Sequence, residues 1–254
     1  MRRDVLLIIS IMVFLVLLPT ILFERKSFAS YDVCPYSDTY GDVYPEGTFV
    51  LKTFCANELS RMLRVVCKAL DDCGIVYYVE GGSVLGYVRH NKQMIPFDDD
   101  IDICVFASKE SMARLKAHLP PGMALVWFRG WYKVTSDKIP WSDRAPIAID
   151  MFQVEETSDG NLRYENDEAR SMWPNVYPKD LVFPIQRDTF AGVPDVAIPA
   201  RPVELAKRLY GDDCMEVAYV NQVHGPIAYL AANLSLQRKP KKISLTEYPP
   251  VLSE

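Results

Sequence analysis

Apolar residues first recur in phase at positions 51–70, where Leu51, Phe54, Leu59, Met62, Leu63, Val66 and Leu70 keep helical spacing. The spacing predicts an amphipathic helix that ends at Asp71-Asp72-Cys73-Gly74, with Gly74 able to take the left-handed cap. The β-branched and aromatic run 75–79 predicts a strand. Gly81-Gly82-Ser83 breaks it, and residues 84–89 begin a short helix. A second strand is expected over 101–106. Ser108 is placed to cap a helix reaching about residue 119, closed by Pro120-Pro121-Gly122. Further strands are expected at 124–128, 132–135 and 147–154, and a helix from Pro202 to Tyr210 stopped by Gly211. Helices interleaved with hairpin-like strands imply an α/β (mixed α+β) domain whose mixed sheet carries helices, not an all-parallel doubly wound fold.

Ahead of this domain the pattern changes character. Residues 5–23 are almost uniformly apolar, between Arg2-Arg3 and Glu24-Arg25-Lys26. At helical rise this stretch spans roughly 28 Å, close to the hydrocarbon thickness of a bilayer. Its length favours an uncleaved signal anchor over residues 1–26. The alternative is a cleaved signal peptide, for which Phe28-Ala29-Ser30 offers a small-residue site. Either sends the rest of the chain into the secretory lumen, as a single-pass type II protein of the Golgi or ER membrane or as a secreted one. Residues 27–47 lack an apolar period and read as a stem. The folded domain is then expected over 48–235, followed by a tail over 236–254 with a basic run at 238–242. Six cysteines and the sequon at Asn233 suit the lumen. Pairing of Cys34 with Cys55, Cys67 or Cys73 stays open, and no CxxC or Cys/His cluster suggests zinc.

Charge narrows the function. A net charge of −5, from 28 basic and 33 acidic residues, argues against a broad nucleic-acid-binding surface. An anionic substrate must be met locally, by a metal ion or a few placed Arg and Lys. The segment Ile95-Pro96-Phe97-Asp98-Asp99-Asp100-Ile101-Asp102-Ile103 supplies the chemistry. On a strand, Asp100 and Asp102 share one face while Ile101 and Ile103 face a core. Two carboxylates so close resist joint ionisation unless a cation lies between them. Oxygen ligands at that spacing suit Mg²⁺ or Mn²⁺. The plainer alternative is a solvated acidic turn or a calcium-type loop, but neither explains the apolar strand that follows or the glycine turn that precedes. Asp150 is the one charge in an otherwise apolar strand. Buried alone it would cost roughly several kcal/mol. Joining Asp100 and Asp102 around a metal would resolve this, and so would a salt bridge to an unseen arginine. Gly82 and Ser83, between a strand and a helix, are placed to hold a phosphate. Arg89 and His90 can meet an anion or orient a carboxylate. Lys133 is a further phosphate candidate, or simply a solubilising surface lysine.

The stretch 82–103 resembles the signature of LicD-type proteins, the family that includes fukutin and fukutin-related protein. It has the Gly-Ser turn, Leu85-Gly86, Arg89-His90, Ile95-Pro96 and the acidic run, with Phe97 where the family usually has Trp. Asp150-Met151-Phe152, Val182-Phe183-Pro184-Ile185, Phe190-Ala191-Gly192-Val193-Pro194 and Leu209-Tyr210-Gly211-Asp212 are similar to later family elements, so the likeness covers roughly residues 50–225. The resemblance implies a nucleotidyltransferase-like fold, with Asp100, Asp102 and Asp150 as a metal triad and Gly82 and Ser83 as the donor-phosphate turn. It implies transfer of phosphocholine or a phospho-alditol from a CDP-linked donor to a glycan or glycoconjugate. One of the acids, or His90, would accept the acceptor's proton. Nucleotidyl transfer to a small substrate and a non-catalytic lumenal binding protein are the alternatives, and a homo-oligomer is compatible with each.

Overall fold

A computed structural model describes residues 36–37, 44, 48, 50–139, 147–220 and 241–247. The apolar run 5–23, Cys34 and the sequon at Asn233 lie outside them. Among the described residues no helix is long and apolar enough to cross a membrane. Within the stretch read as stem, Tyr36–Ser37 (β1) pair antiparallel with Val50–Leu51 (β2). Tyr44 is 2% exposed and meets Phe97 edge-on at 5.4 Å. Cys67, Cys73, Cys104 and Cys214 hold free thiols.

The first expected helix is α1, Thr53–Asp72. Leu59, Met62, Leu63, Val66 and Leu70 are fully buried, as the period requires. Phe54, counted on that face, is instead 51% exposed, and Leu51 belongs to β2. Gly74 does close the helix, at φ 66°. The next helix, α2 (Gly81–Arg89), starts earlier than expected: the two glycines and Ser83 form its first turn. Two further helices match their signals. In α3 (Lys109–His118) the Ser108 hydroxyl accepts from the Ser111 amide at 3.2 Å. In α5 (Pro202–Tyr210) proline leads and Gly211 stops the helix at φ 96°.

The expected strands assemble into one mixed sheet in the order β3 (Val76–Val79), β4 (Asp100–Phe106), β7 (Ala148–Glu156), β6 (Trp131–Ser136), β5 (Met123–Phe128). The β4–β7 pair is parallel; the other neighbours in that order run antiparallel. Between residues 156 and 202 the apolar pattern gave no elements. There the structure adds β8 (Asn161–Tyr164), α4 (Asp167–Met172), β9 (Val176–Pro178) and the hairpin of β10 (Gln186–Phe190) and β11 (Val193–Ile198). β8 extends the sheet from β7, and β9 pairs with β8. Towards the C-terminus β12 (Val217–Val220) pairs with β13 (Lys241–Ser244), which takes Lys241 and Lys242 out of the basic tail.

The two faces of the sheet differ. One packs against α1, to which Ser136 of β6 donates a hydrogen bond at Glu58, 2.5 Å. The other carries Asp100, Asp102, Asp150 and Lys133. Its lower part is sealed by aromatic rings: Trp131 stacks on Phe152 at 5.5 Å, Phe152 on Tyr164 at 4.8 Å, and Trp173 closes edge-on over Trp131 at 5.3 Å. Burial of such rings contributes both area and directional contact.

Candidate active site

Strand alternation and register put the acids together. Asp100 and Asp102 project from one face of β4, and in the parallel pairing Asp102 lies directly across from Asp150 of β7. Oxygens of Asp100, Asp102 and Asp150 all lie within 4.8 Å of one another, as do those of Asp98, Asp99 and Asp100. Burial and mutual repulsion raise all four of the inward acids. Asp98 and Asp102 lie well above the usual carboxylate range, first through burial and then through their acidic neighbours. Asp100 is pushed up to about 6 by burial and by Asp99. Carboxylates crowded in this way call for a cation, and a hard divalent ion fits the oxygen-only donor set.

The glycine turn is fitted to this cluster. Gly81 holds φ 55°, and a side chain there would strike the Asp102 carboxylate; one at Gly82 would strike that of Asp98. The Gly82 amide donates to Asp102 Oδ2 at 2.9 Å, and Ser83 Oγ accepts from the Asp102 amide at 2.8 Å. The Glu80 amide donates to the Asp102 carbonyl at 3.1 Å. Gly82 and Ser83 therefore aim Asp102 in this structure, where the sequence pointed to phosphate.

Lys133 is not a surface lysine. It is 7% exposed, it lies opposite Asp150 across β6–β7, and its ammonium donates to both Asp150 oxygens at 2.5 and 2.7 Å. Trp131 Nε1 donates to Asp150 Oδ2 at 2.9 Å. The ion pair foreseen for Asp150 thus exists, with lysine in place of arginine. Burial still pushes the Asp150 carboxyl up, to about 7, against the pull of Lys133.

Arg89 and His90 do not join the carboxylates. Arg89 Nη1 donates to the carbonyls of Cys214 at 2.9 Å and Val217 at 3.1 Å. It ties α2 to the chain beyond α5 and does not stand open to an anion. His90 is fully buried, packs edge-on at 6.4 Å from Phe97, and has no hydrogen-bond partner among the described residues on either ring nitrogen. Burial, with Arg89 beside it, pushes its pKa down to about 3. The ring is neutral and sealed away, which removes it as the acceptor of a substrate proton.

Residues 74–201, from the turn before β3 to the start of α5, match the family model described as LicD/FKTN/FKRP, nucleotidyltransferase domain. The chain belongs to this LicD family. A Rickettsia prowazekii (strain Madrid E) relative, uncharacterized protein RP689, is 27% identical over 156 residues, 61% of this chain and 54% of that one. The human and mouse ribitol 5-phosphate transferases FKRP are 38% identical over 52 residues, 20% of this chain and 10% of theirs. The chain thus spans about half the length of the first relative and a tenth of the others. Among solved structures, ANT(2")-Ia in complex with adenylyl-2"-tobramycin overlaps with a TM-score of 0.36 and 15% identity, over 56% of this chain and 68% of that one. The lincosamide adenylyltransferase LnuA gives 0.34 and 11%, over 59% and 82%. At these scores the overlap adds nothing to the family match.

Within and just beyond this LicD domain, three further residues border the site that sequence reasoning had not assigned. Asp98 closes the cluster from the loop before β4, and its signal, the unbroken acidic run, was in plain view. Glu80 is 1% exposed and accepts from the hydroxyls of Tyr164 at 2.9 Å and Tyr177 at 3.4 Å; burial lifts it to about 7. Tyr210, 41% exposed at the end of α5, stands near enough to feel the charges of Asp102, Glu80, Asp98 and Asp100. No periodicity marks either: Glu80 stands alone at the end of β3, just before the glycine turn, and Tyr210 comes from a helix packed against the site from further along the chain.

Proposed function

We propose that this protein is a metal-dependent transferase that moves a phospho-alditol or phosphocholine group from a CDP-linked donor to a hydroxyl of a glycan or glycoconjugate. The observation that carries the reading is the carboxylate cluster across the parallel β4–β7 pair, more acid than the cations among the described residues offset. Asp100, Asp102 and Asp150 would hold Mg²⁺ or Mn²⁺, with Asp98 at its edge. The bound ion would supply charge neutralisation at the donor pyrophosphate. The chain's own part is positional. The Gly81–Gly82 turn holds Asp102 in place, Lys133 brings a positive charge within reach of a donor phosphate, and the aromatic floor of Trp131, Phe152 and Trp173 excludes water. One of the acids accepts the proton of the attacking hydroxyl. The apolar run 5–23 would anchor the domain in a Golgi or ER membrane with the site in the lumen.

Thermal shift with CDP-ribitol and CDP-choline, each with and without Mn²⁺, tests this. A shift that needs both donor and ion supports the reading. Equal shifts in EDTA, or a preference for UDP or GDP donors, overturn it. Product analysis separates the nucleotidyl alternative, in which the acceptor would gain a nucleoside monophosphate.

A further inference from the structure

The carboxylate cage already contains a cation of its own. Lys133 Nζ donates to both oxygens of Asp150. Burial works against its charge, but Asp150, Asp100 and Asp102 outweigh burial and hold the ammonium above its ordinary pKa. The ring centroids of Phe128 and Trp131 lie 5.4 and 5.8 Å from Nζ, so the charge is wrapped by π faces as well. Asp150 is also the β7 member of the group, within 4.8 Å of Asp100 and Asp102, that would take a divalent ion. Both of its oxygens are thus claimed before an ion arrives. A divalent ion and an ammonium that share one carboxylate at this range repel each other strongly.

We propose that Lys133 is a stand-in counter-ion that changes partner: it neutralises Asp150 in the metal-free protein, and turns to a donor phosphate once a divalent ion takes Asp150. The proposal rests on the metal reading above. Geometry allows the exchange without moving the sheet. Lys133 and Asp150 are register partners on neighbouring strands, and a lysine stem with a rotatable, compact charge can swing where a rigid guanidinium fork cannot. The exchange lets the cage fold empty, because the chain supplies part of the missing charge, and then returns that charge to the substrate.

The two roles pull in opposite directions, which makes them measurable. A lysine that merely braced Asp150 would help ion and phosphate binding alike. A stand-in hinders the ion and helps the phosphate. The full chain, wild type and Lys133→Met, is titrated with Mn²⁺ alone, followed by spin resonance of the free ion, then with pyrophosphate at saturating Mn²⁺. The variant is expected to bind Mn²⁺ about tenfold more tightly and pyrophosphate about tenfold more weakly. Unchanged or weaker Mn²⁺ binding by the variant overturns the proposal while leaving the metal site standing. No Mn²⁺ binding by the wild type overturns both. Should Lys133→Met fail to fold, amine acetylation of the wild type read by mass spectrometry decides. Lys133 should be protected in EDTA, modified faster with Mn²⁺, and protected again with pyrophosphate; the same rate in all three conditions overturns the proposal.

Discussion

The two faces of the central sheet each bury carboxylates, and they treat them in opposite ways. On the α1 face Glu58, 7% exposed, receives Arg61 at 2.6 and 2.8 Å and Ser136 at 2.5 Å, with Lys138 at 3.7 Å. The hydrogen bond from Arg61, the largest influence, holds its pKa below the usual value even against burial. On the other face Asp98, Asp100, Asp102 and Asp150 crowd together, with Lys133 as the cation in contact, and all four are raised. A buried acid that the chain satisfies by itself is part of the architecture. A cluster left short of positive charge is waiting for something from outside. The sign of the shift, not the burial, separates the two.

The sharpest way to break this contrast is to neutralise one acid on each face. Asp100→Asn or Asp102→Asn should lower donor turnover by about a thousandfold or more while the fold, checked by circular dichroism, is kept. Turnover near wild type in saturating Mn²⁺ would sink the assignment. The ion itself should act on one face alone. At roughly 100 times its Kd, Mn²⁺ should raise the melting temperature of the wild type by about 5–10 °C, and Asp100→Asn should lose most of that rise. Glu58→Gln should do the reverse of the aspartate variants. It should cost about 1–3 kcal/mol of stability in urea melts and leave turnover unchanged, because Arg61 loses its charged partner. A loss of turnover without a loss of stability would show that the α1 face also serves the reaction.

The last expected effect is a matter of pH. His90 is ordinarily a group of pKa about 6.5 and is pushed down to about 3 in the fold. Between those values the unfolded chain binds a proton that the native one refuses. While the raised acids of the cluster and Glu80 contribute with the opposite sign, the contribution of His90 is therefore fully present above about 6.5 and is lost as the pH drops towards 3. Glu58, whose folded pKa is depressed, adds a loss in the same direction lower on the scale, as its carboxylate is protonated. His90→Phe should remove the loss due to His90, so that the variant's stability relative to wild type grows in melts taken from pH 7 down to pH 4. An unaltered slope would mean that another group sets it.

What the sequence revealed, and what it hid, follows from the range of the interactions involved. Asp100 and Asp102 were legible because strand alternation alone puts them on one face, and Asp150 because a charge in an apolar run demands an explanation. The partner of Asp150 was not legible. Lys133 looks like any lysine in Trp131–Ser136 until the β6–β7 register sets it opposite. Arg89 and His90 misled because adjacency to a glycine turn says nothing about which way a helix end points. The elements between β7 and α5 escaped because several carry too few apolar residues to set a period, as in Asp167–Met172 and Gln186–Phe190. They nonetheless supply Tyr164 and Tyr177, which hold Glu80 behind the glycine turn.

The grip of Arg89 on the carbonyls of Cys214 and Val217 bears on where this protein can be cut. The family model ends at residue 201, a natural place to stop an expression clone. A product ending there would keep all the carboxylates and still be incomplete. The guanidinium of Arg89, largely withdrawn from water, would lose both of its acceptors, and the tyrosine that overlooks the cluster, Tyr210, would be missing. Such a product would be expected to go insoluble, and inactivity in it would say nothing about the enzyme. The unit that inherits its boundaries from homology and the unit that holds itself together are different lengths of chain, and Arg89 marks the difference.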